Sequence, residues 1–294
     1  IRDVAVTGVQ TCALPILAIG CVYGLIGIGF CVIYNASGIV NFAQGAFVMI
    51  GGMATYVLLK IFHLPYLLAA IGATAVAAIV GACLERIVVR PLWRRSAPMF
   101  VMILATLAAQ TVIERLTFLA VDDQPKTLPV FTDLPPIMLG GVAVNFQSLW
   151  IIFGSLVLVA SLALFFQRTR VGKAMRACSI NAEAASLQGI PVSKLLTLAF
   201  VLSAALGAIA GILLTPTQYT AFNMGVPFAI SGFIAAIIGG FGRPMGAFLG
   251  GIALGVIQSV AILYLGSGFK NVAALSLLLL FLFMRPSGLL GTAR

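Results

Sequence analysis

The chain has 294 residues, of which 62% are hydrophobic and only 8% charged. Soluble globular proteins carry about a quarter charged residues, so this composition belongs to a protein embedded in lipid, and it leaves no room for a separate soluble domain. The formal net charge of +10 does not point to nucleic acid, because eleven of the seventeen basic residues lie in short segments beside apolar runs, where cytoplasmic loops of membrane proteins collect them.

Residues 1–16, IRDVAVTGVQTCALPI, lack the basic, apolar and small-residue order of a signal peptide. Val6–Ile16 resembles the translation of a common sequencing-adapter oligonucleotide, and residues 1–16 are read as a non-native segment standing in for the opening of the first helix. The alternative is an unusual but genuine start. A first span is predicted over about Leu17–Tyr34, its Gly20, Gly24, Gly27 and Gly29 forming a narrow ridge for another helix. After the turn formers Asn35–Gly38 a second apolar run lasts to Leu59. Near its start Asn41 and Gln44, three apart, are expected to share a helix face. Unpaired amides are costly in lipid, so that face should meet protein or a water-filled path.

The single His63 lies in the loop Lys60–Pro65 with no partner residues for a metal site. The five cysteines show no metal spacing and read as small apolar side chains. A third span, about Tyr66–Ile87, ends in the basic cluster Arg86, Arg90, Arg94 and Arg95, where Pro91 and Pro98 bracket a short loop. The fourth, about Met99–Ala120, carries Gln110, Thr111, Glu114 and Arg115 towards its far end. Val121–Gln147, with Asp122, Asp123 and Asp133 and several prolines, suits an outer loop. A fifth span, about Ser148–Gln167, leads to Arg168.

Arg168–Lys194 is the polar, helix-prone insert between apolar runs, with five basic residues and one acid. Its charge assigns it to the cytoplasmic side. Two short helical pieces are expected around a bend at Ser179–Asn181, with Asn181 as N-cap and Glu183 in the following first turn. Gly189-Ile-Pro191 then ends the helix. An ordinary amphipathic connecting loop is the alternative. Beyond it, spans are expected over about Leu195–Thr215, Met245–Leu265 and Asn271–Met284. Phe228–Phe241 has only 14 residues, so it crosses by borrowing flanking residues or is re-entrant or broken. The predicted fold is an all-α integral membrane protein, a polytopic bundle of eight or nine spans, some of them broken or re-entrant, with residues 17–291 as one domain. Nine crossings satisfy the alternation of basic and acidic loops.

No enzyme constellation survives inspection: Glu85, Glu114 and Glu183 lie on separate segments, and no HExxH, GxSxG or P-loop pattern occurs. Mid-span positions are almost free of charge, which weakens an ion-coupled carrier and favours energy supplied by a partner. The polar groups available to a path are Asn41, Gln44, Gln110, Thr111, Gln218, Asn223 and Gln258. Each is also a candidate for a plain helix–helix hydrogen bond.

Four separated motifs carry a family resemblance. Glu183-Ala-Ala-Ser-Leu-Gln-Gly189 matches the EAA-x3-G core of the cytoplasmic loop in permease subunits of ATP-binding-cassette importers. The further Ile-x-Leu-Pro of that loop is missing, since 199–202 reads AFVL. With Gly172-Lys-Ala-Met-Arg-Ala177 upstream, this resembles the branched-chain amino acid permease family. Asn41-Phe-Ala-Gln-Gly45, Ile238-Gly-Gly-Phe-Gly-Arg-Pro-Met-Gly-Ala247 and Arg285-Pro-Ser-Gly-Leu-Leu-Gly291 look like its other signatures, the first more like a LivH-type subunit. The resemblance covers Leu17–Gly291. It implies a multi-pass protein of the bacterial inner membrane, paired with a second related permease, two cytoplasmic ATPases that bind ATP and Mg, and an extracytoplasmic binding protein. It implies no cofactor in this chain, and ATPase coupling through Gly172, Arg176, Asn181, Glu183, Ala184, Ala185 and Gly189. An ion-coupled or facilitative carrier is the alternative.

Overall fold

The computed structural model describes residues 2–132, 134–139, 142–284 and 288, and the side chains of these except residues 2–13, 138, 139, 142 and 143. Twelve α-helices follow in chain order among the described residues, joined by short connections. They are α1 (Arg2–Ser37), α2 (Gln44–Lys60), α3 (Tyr66–Leu84), α4 (Arg90–Arg94), α5 (Met99–Val121) and α6 (Phe146–Arg168), then α7 (Arg170–Ile180), α8 (Ala182–Leu187), α9 (Val192–Leu214), α10 (Gly225–Gly239), α11 (Pro244–Leu265) and α12 (Lys270–Met284). A two-stranded hairpin, β1 (Ile137–Leu139) with β2 (Val142–Val144), decorates the loop between α5 and α6. Among the described residues, seven helical segments are long and apolar enough to cross a membrane, and α2 and α10 are shorter.

The centre of the bundle is α1 and α9, the most enclosed of the long helices, with α2 and α10 packed against them. The glycine ridge of α1 faces more than one neighbour. Gly20 and Gly24 admit the α11 backbone at Ile252 and Phe248, Gly27 admits α10 at Gly232, and Gly29 admits the Gln44 side chain. At 100° per residue, spacings of four, three and two cannot stay on one face. The glycines therefore wind round α1 and let three elements approach it.

Two boundaries differ from expectation. Asn41 stands outside α2, which begins at Gln44, because the Asn41 carboxamide accepts the Ala43 N–H at 3.2 Å and holds a turn there. The two amides therefore do not share a helix face. The third span, expected to end near Ile87, runs on to Arg94 through a π turn at Glu85–Val89. Pro91 has no N–H to offer the Ile87 carbonyl and would crowd it in an unbroken α-helix. The π turn, closed by the Arg90 N–H on the Glu85 carbonyl, widens the helix just before it.

The two ends of the bundle are set by long-range contacts. At one end the Asn35 amide donates to the Gly242 carbonyl at 2.7 Å, and Ser37–Ile39 lie beside Trp93–Ala97. The α7–α8 pair packs at this same end. At the other end the backbones of Lys126 and Thr220 exchange hydrogen bonds of 2.8 and 2.7 Å, and the Lys126 ammonium lies 5.6 Å from the Tyr56 ring centre. Both basic clusters thus share one end and the acidic loop occupies the other, the distribution of a cytoplasmic and an outer face. The segment from Thr220 through α10 to Gly242 runs from one end of the bundle to the other, with its first part outside the helix. Arg285 and the closing motif to Gly291, apart from Gly288, lie outside the described residues, as does Arg294.

Candidate coupling knob and translocation seam

The polar insert folds into a compact knob. Thr169 accepts the Gly172 N–H at 2.9 Å and starts α7. The Arg176 guanidinium turns back to donate two bonds, 2.7 and 3.2 Å, to the Phe166 carbonyl at the end of α6. Gly172 sits flat on the Phe165–Phe166 backbone, where a side chain has no room. Met175, Cys178 and Ala185 are buried and seat the knob on the bundle. Burial also pushes the Cys178 thiol pKa up. Asn181 accepts the Ala184 N–H at 2.9 Å as the N-cap of α8, with Glu183 in its first turn. At the other end Gly189 takes φ +78°, and the Gly189 and Ile190 N–H groups bond the Ser186 and Ala185 carbonyls, a Schellman closure. The chain is helical again from Val192, where α9 begins.

Glu183 and Ala184 are exposed on the knob, flanked by Ile180 and Leu187, which are 87% and 83% exposed. Those two apolar tips were not singled out from the sequence, although apolar residues inside a polar insert were the available signal. Gly172, which is buried, and Arg176, which is exposed, attach α7 to α6.

A polar cluster clamps the start of α9 to the end of the third span. The buried Glu85 carboxylate forms an ion pair with Arg90 at 2.8 Å. Thr197, in the second turn of α9, donates to Glu85 at 3.0 Å, and Arg90 donates to the Thr197 hydroxyl at 2.6 Å and to the Ser193 carbonyl at 3.3 Å. This pair lies at the cytoplasmic end of the third span, enclosed in protein and stabilised by mutual neutralisation.

Midway along α9, Ser203 meets the start of α2. Its hydroxyl bonds the Gln44 amide oxygen at 2.6 Å and the Gly29 carbonyl at 2.9 Å, while the Gln44 amide donates to the Ser203 carbonyl at 3.1 Å. A 23-residue span covers about 34 Å, so its midpoint lies near the bilayer midplane. α2 therefore begins at mid-depth. α10 begins beside it: a Cβ on Gly45 would run into the Gly225 carbonyl. Two short helices thus bring their N-termini together at the centre, one running outward and one inward, the arrangement that broken helices provide at transporter sites.

α5 lies along this seam with polar groups every four residues. Thr106 accepts the Phe42 N–H at 3.2 Å, and the buried Gln110 donates to Glu114 at 3.1 Å. The Glu114 carboxylate lies beside Gly225 at the head of α10. Thr111 points off this face and bonds its own helix at Leu107. Asn41 keeps a buried amide nitrogen without a partner, and Gln258 is buried with neither side-chain atom partnered. Gln218 and Asn223 come together elsewhere, in an outer cavity of about 630 Å³ with Tyr23, Ser231, Lys270 and Asn271. A larger cavity, about 1020 Å³, is lined by Tyr66, Ile71, Trp150, Leu213 and other mostly apolar side chains, and it suits acyl chains better than a charged solute. No cluster of metal-ligating side chains occurs among the described residues.

The fold and the seam define a multi-pass α-helical membrane transporter subunit with broken helices at its centre. A family model described as "Branched-chain amino acid transport system / permease component" matches residues 12–284. The chain is similar to the high-affinity branched-chain amino acid transport system permease protein BraD of Pseudomonas aeruginosa, at 33% identity over 94% of this chain and 93% of that one. It is similar to the corresponding LivH of Escherichia coli, at 29% over 94% and 93%, and to the probable LivH of Methanocaldococcus jannaschii, at 30% over 91% and 88%. Among solved structures, a chain of PsaBC from Streptococcus pneumoniae in complex with Fab matches with TM-score 0.56 at 12% identity, covering 98% of this chain and 97% of that one, a likeness of fold. The chain belongs to the branched-chain amino acid transport permease family, as a LivH-type permease, and its role is non-catalytic.

Proposed function

We propose that the chain is one permease half of an ATP-driven importer for branched-chain or related amino acids, driven through the knob at 168–194. The observation that carries this reading is the continuity of α9. Its cytoplasmic end joins the knob, its first turns are clamped by Glu85 and Arg90, and its midpoint holds the start of α2 through Ser203 and Gln44. A partner that moves Ile180, Glu183 and Leu187 moves α9, and α9 moves the seam. Two cytoplasmic ATPases, carrying ATP and Mg, would bind the knobs of this chain and of a second related permease, and an extracytoplasmic binding protein would deliver solute to the outer cavity at Gln218 and Asn223. The bacterial inner membrane is the setting. Gln44, engaged on both side-chain atoms, would act as the latch between α2 and α9, and Asn41, with its free amide, would face the solute path.

Glu114, an acid within a span, favours a second reading, an ion-coupled carrier. Uptake of radiolabelled leucine into proteoliposomes separates the two. The importer requires both ATPases and internal or external ATP on their side, with no dependence on an ion gradient. Gradient-driven uptake by the permeases without ATPases contradicts it.

A further inference from the structure

We infer that Glu114 receives the α-ammonium of the transported amino acid at the seam. The inference rests on the amino-acid importer reading and adds a named binding group to it.

Glu114 lies in the outer half of α5, on the stripe Thr106, Gln110 and Glu114 that faces the starts of α2 and α10. It is half-buried. One carboxylate oxygen accepts the Gln110 amide and lies 3.2 Å from where a Cβ on Gly225 would stand. Neither ion pair among the described residues involves it. Arg115, next in sequence, forms no ion pair with it and stacks 5.8 Å from the Phe222 ring centre.

A carboxylate held at this depth without a cation is costly unless a cation arrives. The contrast with Glu85 is direct: that acid is fully enclosed with its own arginine, whereas Glu114 is left partly open beside a backbone crossing where two helices break. Gln110 uses its amide nitrogen to hold the carboxylate, which leaves its carbonyl oxygen as a second acceptor on the same face. A carboxylate with an amide oxygen beside it is an acceptor set for a primary ammonium. A zwitterionic amino acid supplies that cation in each cycle, and a neutral sugar does not.

The test uses the whole transporter in ATP-loaded proteoliposomes with its binding protein saturated by leucine. Glu114→Gln should lower the maximal uptake rate by about ten-fold or more, the loss expected for one charge-assisted hydrogen bond. Glu114→Cys should be similarly slow, should recover when the assembled protein is treated with the anionic reagent that adds an ethylsulfonate, and should not recover with the ethylammonium reagent. Unmodified wild type treated in parallel controls for the native cysteines. The cysteine pair carries the test if Glu114→Gln fails to assemble, because its charge is installed after folding. Uptake by Glu114→Gln within about two-fold of wild type, or equal recovery with either reagent, overturns the inference. A wild-type complex that imports no amino acid at all fails the importer reading instead.

Discussion

Glu85 and Arg90 are five residues apart, and in an α-helix such residues point about 140° away from each other. Only the π turn brings them onto one face, at 2.8 Å. The pair was invisible in the sequence for that reason, since i,i+5 is not a spacing that signals contact. Glu85→Gln leaves the Arg90 charge inside the protein without its counterion, at a cost of about 3–5 kcal/mol. Thermal unfolding of the purified complex should show a clear fall in Tm, and an unchanged Tm contradicts the clamp. The Gln44 latch makes a smaller claim. Ser203→Ala leaves a buried amide oxygen short of its donor, a loss of about 1–3 kcal/mol, while Thr111→Ala, on the outward face, should leave stability unchanged. Asn181, in contrast, was legible in full: a good N-cap residue three before a free N–H is a local feature that needs no tertiary knowledge.

At the scale of elements, the apolar runs gave the spans because length and hydropathy are properties of the chain alone. The knob was equally readable, down to its bend and its glycine stop, since caps and Schellman closures act within one turn. The seam was not. Asn41, Gln44, Gln110 and Glu114 stood out as polar residues in apolar runs, yet which of them meet depends on where α2 and α10 break and cross. That crossing depends on close backbone approach, which glycine permits but does not dictate. Gly211, whose missing side chain admits the Val48 carbonyl of α2, makes the dependence testable. Gly211→Leu should separate α2 from α9 and yield protein that fails to assemble as a monodisperse complex by size exclusion, whereas Gly268→Leu, with open space around it, should assemble normally.

For the whole molecule, the seven long apolar segments and the two shorter helices α2 and α10 place both basic clusters among the described residues at one end and the acidic loop at the other. A cysteine introduced at Leu187 should react with impermeant maleimide only in inside-out vesicles, and one at Asp123 only in right-side-out vesicles; the reverse pattern contradicts the orientation. The two ends are joined by α9, and under the proposed function transport depends on what grips the knob. The decisive measurement is the number of leucine molecules imported per ATP hydrolysed by the reconstituted complex with Leu187→Asp in this chain. The account predicts that ATP hydrolysis continues while the ratio falls by about ten-fold or more, the loss of an anchoring apolar contact at an interface. A ratio equal to wild type contradicts coupling through Arg168–Lys194.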